Sequence, residues 1–247
     1  MGQPVIIASK HGIKTATKLA KELGGRIARG DVLSRDGLPR YDFTVRYGNS
    51  VAHSDFPPFI NFASAISGVA NKFSFRRILL NRGVSCPNLY DTTTIHMATF
   101  PVIARPFYHM KGRNFNVVKT ADAATELLRH NMYVQEIIDV DEEFRLLCYK
   151  NKIIEAAIKV PAEKIKSYLI RNYSNGWRFI HIPVAGVPKS VKESSRDASL
   201  ASLLHFCAVD AVLGKDGVGY VLEVNSAPSM SDRKIEGLAK YISGDFL

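Results

Sequence analysis

Three oxygen-bearing side chains near the end of the sequence, Asp210, Glu223 and Asn225, are spaced so that they could share a divalent cation. They lie in residues 208–225, where two apolar runs flank Asp216-Gly217. That dipeptide suits a two-residue type I′ turn, because both central residues take positive φ. In this register Lys215 faces Val218 and Asp210 lies directly opposite Glu223. Residues two apart on a strand point the same way, which adds Asn225 to the acidic face and turns Val209, Ala211, Leu222 and Val224 to the other. Facing carboxylates repel by roughly 0.2–1 kcal/mol on a sheet, and by more where water is excluded, so a cation between them is the natural reading. Magnesium fits an Asp/Glu/Asn set, which offers hard oxygens and an incomplete shell that phosphates can complete; manganese is the alternative ion. The competing interpretation is a solvent-facing hairpin whose acids merely align, and Gly214 and Gly219 permit a longer loop and other registers.

The elements that must position this hairpin form an alternating α and β chain. Residues 4–8 read as a buried strand, followed by a helix with apolar Ile13, Ala16, Ala20 and Leu23 that stops at Gly24-Gly25. Residues 43–47 predict a second strand, and 61–82 a helical stretch with Gly68 as an interruption and Gly83 as its stop. A domain boundary is placed near residue 90. Beyond it, residues 101–105 and 115–119 predict strands around a polar loop, and Thr120 caps a helix that runs to His130-Asn131. Residues 133–138, 144–149 and 153–159 predict further strands, while 161–181 is long, polar and aromatic and receives no assignment. Ser190-x-x-Glu193 reads as a capping box opening a helix through about Phe206.

Composition bounds the function. No apolar run approaches the roughly 20 residues of a membrane span, and the start lacks a signal-peptide layout, so a cytoplasmic protein without membrane partner is expected. Met1-Gly2 would suit myristoylation, but Ile6 stands where Ser or Thr is required. Cys86, Cys148 and Cys207 are odd in number and form no C-x-x-C pair, which argues against a disulfide frame or zinc site. Lys plus Arg exceed Asp plus Glu by 33 to 23, which fits a polyanionic substrate or a nucleic acid without choosing between them. P-loop, H-E-x-x-H, G-x-S-x-G and dinucleotide glycine patterns are all missing.

The ordered motifs resemble a known family. Residues 221–228, VLEVNSAP, resemble the EVN-x-x-P ending of ATP-grasp ligases, above all ribosomal-protein glutamate ligases and glutathione synthetase-like enzymes, and Asp210 matches their upstream acidic metal ligand. Val134-Gln135-Glu136-Ile137-Ile138, then Glu143-Phe144-Arg145, then 153–159 resemble their hinge strand, their acidic-x-Arg step and the strand after it. Asn71-Lys72 and residues 79–87 resemble the helix and turn before the nucleotide domain, so the likeness covers about residues 60–230. It implies an α/β (α+β) ATP-grasp fold: a short Rossmann-like N-terminal domain over 1–90, then an ATP-grasp domain over 91–247 with lobes of about 91–138 and 139–247. The implied partners are ATP, a carboxylate substrate and an amine acceptor, and the reaction is an ADP-forming ligation through an acyl phosphate.

The resemblance also implies roles. Backbone around Gln135, Glu136, Ile137 and Ile138 would bond the adenine edge, and Glu143 the ribose hydroxyls. Arg105 stands where the family has a phosphate-binding lysine, with a rigid fork in place of a compact ammonium. Lys72 would touch the nucleotide, or is an exposed helix lysine. Arg145 and Lys159 would face the transferring phosphoryl group, with Arg171 as a further catalytic cation and Asn172 beside it. The phosphate-covering loop departs from the family: it has one glycine, Gly112, with Lys111 and Arg113 beside it. The short N-terminal region resembles compact members encoded by tailed bacteriophages. Two other readings stay open. One is a basic nucleic-acid-binding module, in which the aromatic and basic residues of 168–179 would stack on bases, or else form a lid. The other is a kinase on the same fold. A homo-oligomer is compatible with all three.

Overall fold

The computed structural model describes residues 3–29, 42–51, 59–107 and 116–245. In chain order the elements are β1 (Pro4–Ala8), α1 (Ile13–Glu22), β2 (Arg26–Arg29), β3 (Phe43–Tyr47), β4 (Phe59–Ile60), α2 (Ala63–Ala70), α3 (Lys72–Asn81), β5 (Leu89–Tyr90), β6 (Val102–Pro106), β7 (Asn116–Val118), α4 (Ala121–Arg129) and β8 (Met132–Gln135). They continue with β9 (Val140–Tyr149), β10 (Lys152–Pro161), β11 (Trp177–Ile182), α5 (Lys189–Ser202), β12 (Phe206–Gly214), β13 (Gly219–Asn225) and α6 (Asp232–Gly244).

Three sheets result. The first is parallel in the order β2-β1-β3-β4, and its strands β1 and β3 are buried on both faces, as their continuous apolar runs require. The second is antiparallel, β5-β8-β6-β7, and the third is antiparallel, β11-β10-β9-β12-β13. Alternation along β9 decides how the third sheet is covered. Phe144, Leu146 and Cys148 face a core shared with α2, α3 and α5, whereas Leu147 and Tyr149 face a core shared with β1, β3, α1 and α6. The rest of that second face, toward the start of β9, carries charged side chains.

Several local expectations shift. The helical stretch 61–82 breaks at Asn71 and not at Gly68: Asn71 leaves helical geometry and its side chain accepts from the Ser74 amide, capping α3. Gly83, at φ +70°, does end α3. β8 stops at Gln135, and residues 136–139 form an extended link to β9. The Ser190/Glu193 capping box is not the start of α5, which begins at Lys189 after Pro188, and the Ser190 hydroxyl bonds the Gly217 carbonyl instead. That helix ends at Ser202, with Leu203 at φ +57°, and Phe206 and Cys207 open β12. The unassigned stretch holds all but the last residue of β11, and α6 was not predicted. All three cysteines are buried and free.

One buried asparagine joins the first and third sheets. Asn61, at φ +64° and fully buried, donates through Nδ2 to the Phe206 carbonyl and accepts from the Phe206 amide, both at 3.0 Å. An alanine there would lose both bonds and hold a left-handed backbone without side-chain compensation. Asn61→Ala is expected to cost about 2–4 kcal/mol, read as a lower urea midpoint at unchanged m-value.

Candidate functional site

The hairpin β12–β13 forms, and Asp210 pairs directly with Glu223, but the route to that register differs from the sequence expectation. The loop is one residue longer: Gly214 accepts from the Gly217 amide, the Gly214 amide donates to Val218, and Gly217 sits at φ +81°. A bulge between Ala211 and Asp210 absorbs the extra residue at Leu222, so the ladder returns to the expected register at the acids. The bulge turns Val221, not Leu222, into the core beside Val224. The Leu222 carbonyl accepts from the buried Arg76 guanidinium of α3.

Register places a row of side chains across the third sheet: Glu223 opposite Asp210, Asp210 opposite Arg145, Arg145 opposite Ala157, Ala157 opposite His181. A parallel row sets Glu143 opposite Lys159 and Lys159 opposite Phe179. Arg145 grips Asp210 with two bonds, Nε to Oδ1 at 2.6 Å and Nη2 to Oδ2 at 2.7 Å. Lys159 pairs with Glu143, both side chains under a tenth exposed. Lys72, reaching over from α3, lies 2.9 Å from Glu223 Oε1 and donates to the Val224 carbonyl at 3.0 Å. The Asn225 amide nitrogen is 3.3 Å from Asp210 Oδ2. Asp210, Glu223, Asn225, Arg145, Lys159, Glu143 and Lys72 therefore converge on one surface.

Burial would push the Asp210 carboxyl up, but Arg145, with Lys159 and Lys72 behind it, holds it below the usual carboxylate value. Arg145 loses solvation by burial, yet Asp210 and the neighbouring acids raise it above its ordinary value, so it stays charged. Burial raises Glu143 against the opposing charge of Lys159. The facing acids are thus already compensated by Arg145 and Lys72, and their repulsion does not by itself demand a metal. The donor set nonetheless fits one. A carboxylate offers about four acceptor positions, of which Arg145 and Asn225 use three on Asp210. Glu223 is more than a third exposed and has an oxygen beyond the one Lys72 holds. Among the described residues no three His, Cys, Asp or Glu side chains gather as a metal cage, so the protein offers an incomplete oxygen shell of two carboxylates and an amide.

The other expected residues separate. Gln135 is buried, and its Oε1 has no hydrogen-bond partner among the described residues. Beside it Glu136 is held by Asn88, whose amide and side chain both donate to Oε2. Ile137 and Ile138 lie in the extended link between the second and third sheets. Arg105 on β6 stands opposite Tyr133 and hydrogen-bonds its side chain. Lys111, Gly112 and Arg113 lie outside the described residues. Arg171 donates to the Tyr168 and Val140 carbonyls and stacks 4.8 Å from the Trp177 ring, fastening the 162–176 loop to the start of β9, and its charge acts on Glu143 beside Lys159. Asn172 caps the short turn Tyr173–Asn175.

Sequence reasoning missed Phe179, whose ring lies 4.6 Å from Arg145 Cζ and 5.0 Å from Lys159 Nζ and bridges the two cations. It sat in the stretch left unassigned. Arg76 was also missed, although its spacing of four from Lys72 puts both on one side of a helix. Between them Phe73 packs on Phe107 and Tyr133, so α3 clasps the second sheet while its cations hold β13.

No protein-family model matches the sequence, and no curated protein matches it in sequence. Solved structures do match in shape. The ATP-grasp ligase PsnB complexed with minimal precursor superposes with a TM-score of 0.73 at 13% identity, covering 99% of each chain. The D-alanine–D-alanine ligase from Bacillus anthracis gives 0.66 at 16% identity, covering 99% of this chain and 92% of that one. A RimK domain ATP-grasp protein from Sphaerobacter thermophilus gives 0.66 at 15% identity, covering 98% of each. With a charged row across the third sheet and this likeness along nearly its whole length, the chain has the ATP-grasp fold.

Proposed function

We propose that this protein is an ATP-dependent, ADP-forming carboxylate–amine ligase that binds ATP with magnesium. The observation that carries the reading is the row Glu223–Asp210–Arg145 with Lys159 and Glu143 beside it, a patch of preorganised opposite charges on the open face of one sheet. Structures of this shape include PsnB complexed with minimal precursor, magnesium and ADP, and the Bacillus anthracis ligase complexed with ATP. Two units, 1–90 and 91–247, are inferred, with the nucleotide between lobes of about 91–138 and 139–247.

On this reading the link at Glu136 to Ile138 and the unpartnered Gln135 oxygen meet the base, and Glu143 the ribose. Asp210, Glu223 and Asn225 would hold magnesium, which neutralises phosphate charge. Arg145, fixed in direction by Asp210 and Phe179, points its charge where a phosphoryl group passes to a carboxylate. Lys159 then stands near the acyl phosphate as an amine displaces the phosphate. Lys72 reaches the phosphates from α3 and Arg105 approaches from the second sheet, with Lys111, Gly112 and Arg113 as further phosphate-binding residues. Arg171 fastens the neighbouring loop and adds its charge beside Glu143, behind the catalytic cations Arg145 and Lys159.

Incubation with ATP, magnesium and pooled amino acids or peptides is expected to release ADP. Asp210→Asn and Glu223→Gln should each slow that release by about a hundredfold or more. Release of AMP, or ADP formation untouched by either substitution, would overturn the assignment. A stable phosphorylated product would indicate a kinase. The aromatic and basic stretch 168–179 gives no support to nucleic acid at this site, because Arg171 and Arg178 stack on the stretch's own Trp177 and Tyr173 rings.

A further inference from the structure

Each carboxylate of the charged row has its own cation: Asp210 has Arg145, Glu223 has Lys72 and Glu143 has Lys159. That surface therefore does not account for the excess of ten positive charges. Part of the excess gathers elsewhere, at the Lys150/Lys152 pair. A cavity of about 380 Å³ opens where the β9–β10 turn meets the last turns of α6, lined by Tyr149, Lys150, Lys152, Lys240, Tyr241 and Asp245. Its volume falls at the small end of the roughly 300–1,000 Å³ usual for small-molecule sites. Tyr149 lies four residues beyond Arg145 on β9, roughly 13 Å along the strand, so the cavity is separate from the row.

The cavity is built from fixed parts. Lys150 and Asn151 take φ +45° and +63°, the tight turn that strands of this twist favour. The Lys150 amide donates to the His205 carbonyl at 2.6 Å, which pins the turn. At the floor the Tyr149 hydroxyl donates to Asp245 Oδ2, and the Lys150 ammonium lies 2.8 Å from Oδ1. Burial opposes ionisation of Asp245, but Lys150 and Tyr149 hold its carboxyl below the ordinary value, so it is charged and neutralises one lysine of three. Among the described residues neither Lys152 nor Lys240 has a carboxylate partner, and both are exposed. Two unmatched ammonium groups remain beside two aromatic rings 5.8 Å apart, with Lys152 Nζ 5.6 Å from the centroid of the partly exposed Tyr241 ring.

Two compact cations match a phosphate monoester, which carries about −1.5 to −2 at neutral pH, and the partly exposed Tyr241 ring offers a flat heterocycle an aromatic neighbour. We propose that this cavity is a second ligand site that binds a nucleotide, with its phosphate on Lys152 and Lys240 and its base against Tyr241. The nucleotide can be free or part of a single strand, since both present the same phosphate and ring. The site does not depend on the ligase reading.

Calorimetric titration of the whole chain with uridine 5′-monophosphate, uridine, inorganic phosphate and an eight-residue oligothymidylate tests it. The monophosphate is expected to bind wild type and Asp210→Asn alike. Binding should weaken by about tenfold or more in Lys152→Ala/Lys240→Ala, a double variant of two exposed side chains whose melting temperature should stay unchanged. Uridine and phosphate should each bind more weakly than the monophosphate. Binding of the oligomer that is tighter than the monophosphate and falls steeply with salt assigns the ligand to a strand, whereas equal affinity assigns a free nucleotide. The proposal is overturned if neither nucleotide probe binds, if the double variant binds as wild type does, or if uridine or phosphate alone matches the monophosphate. Monophosphate binding by a wild-type protein that forms no ADP from ATP would sink the ligase reading and leave this site standing.

Discussion

Replacing Arg145 with Met is expected to lower the unfolding free energy by about 3–5 kcal/mol, because the change strands the Asp210 carboxylate in a partly dry site without its two-pronged partner. If the ligase reading holds, ADP formation falls by about a hundred- to a thousandfold as well. The pH dependence separates this mechanism from a general loss of packing. In the native protein Asp210 stays charged below the usual carboxylate range, so its stabilising contribution is fully present above the unfolded value and is lost as pH falls through the lower folded one. Without Arg145, burial raises the carboxyl and the sign reverses: the penalty applies above the raised value and is relieved on acidification. The gap in urea midpoint between variant and wild type should therefore narrow as pH falls from neutrality toward the usual carboxylate range. A gap that stays constant would show that Arg145 does not hold Asp210. Arg145→Lys is expected to recover part of the stability, since an ammonium keeps the charge but cannot make both bonds.

How much of this could be read from residues alone depends on range. The acidic pair was legible because a hairpin is local: turn chemistry and a two-residue period put Asp210 opposite Glu223 even though the loop length was misjudged. That misjudgement and the Leu222 bulge cancel at the acids, but not at Val221, which takes the core position expected for Leu222. Strands β1, β3, β9 and β10 were legible as apolar or alternating runs. The Arg145–Asp210 grip was not, because it joins residues far apart in the chain across two strands whose adjacency no local pattern states. The need for a cation between the acids was likewise argued from two side chains, whereas the fold brings Arg145 from β9 and Lys72 from α3 to the same place. β11 was hidden because its face is exposed: only Trp177 of its six residues is buried, so the apolar signal of a strand is weak. Of Arg171 and Asn172, placed by analogy in that stretch, Asn172 caps a turn within the loop and Arg171 ties the loop to the start of β9. ATP-grasp architecture was readable because its motifs recur in order along the chain, while the aromatic bridge of Phe179 depends on β11 pairing with β10.

The Lys159–Glu143 pair allows stability and chemistry to be separated. Both side chains are under a tenth exposed, so removing either leaves a charge with little water around it. Lys159→Met is expected to destabilise by about 3–5 kcal/mol, and to raise the Glu143 carboxyl further, since burial already raises it and the opposing charge is gone. The double variant Lys159→Met/Glu143→Gln removes both charges, keeps nearly the same volume and should regain most of that loss. Urea unfolding of the two single variants and the double variant gives the interaction energy as the departure from additivity. A lysine that serves only the fold would return activity along with stability. Lys159 as a cation for the acyl phosphate makes a different demand: the double variant should fold nearly as the wild type does and still fail to form ADP, since Lys159 is the cation paired with Glu143 at that place. Recovery of turnover in the stable double variant would assign Lys159 to architecture and leave Arg145 as the cation on which phosphoryl transfer depends.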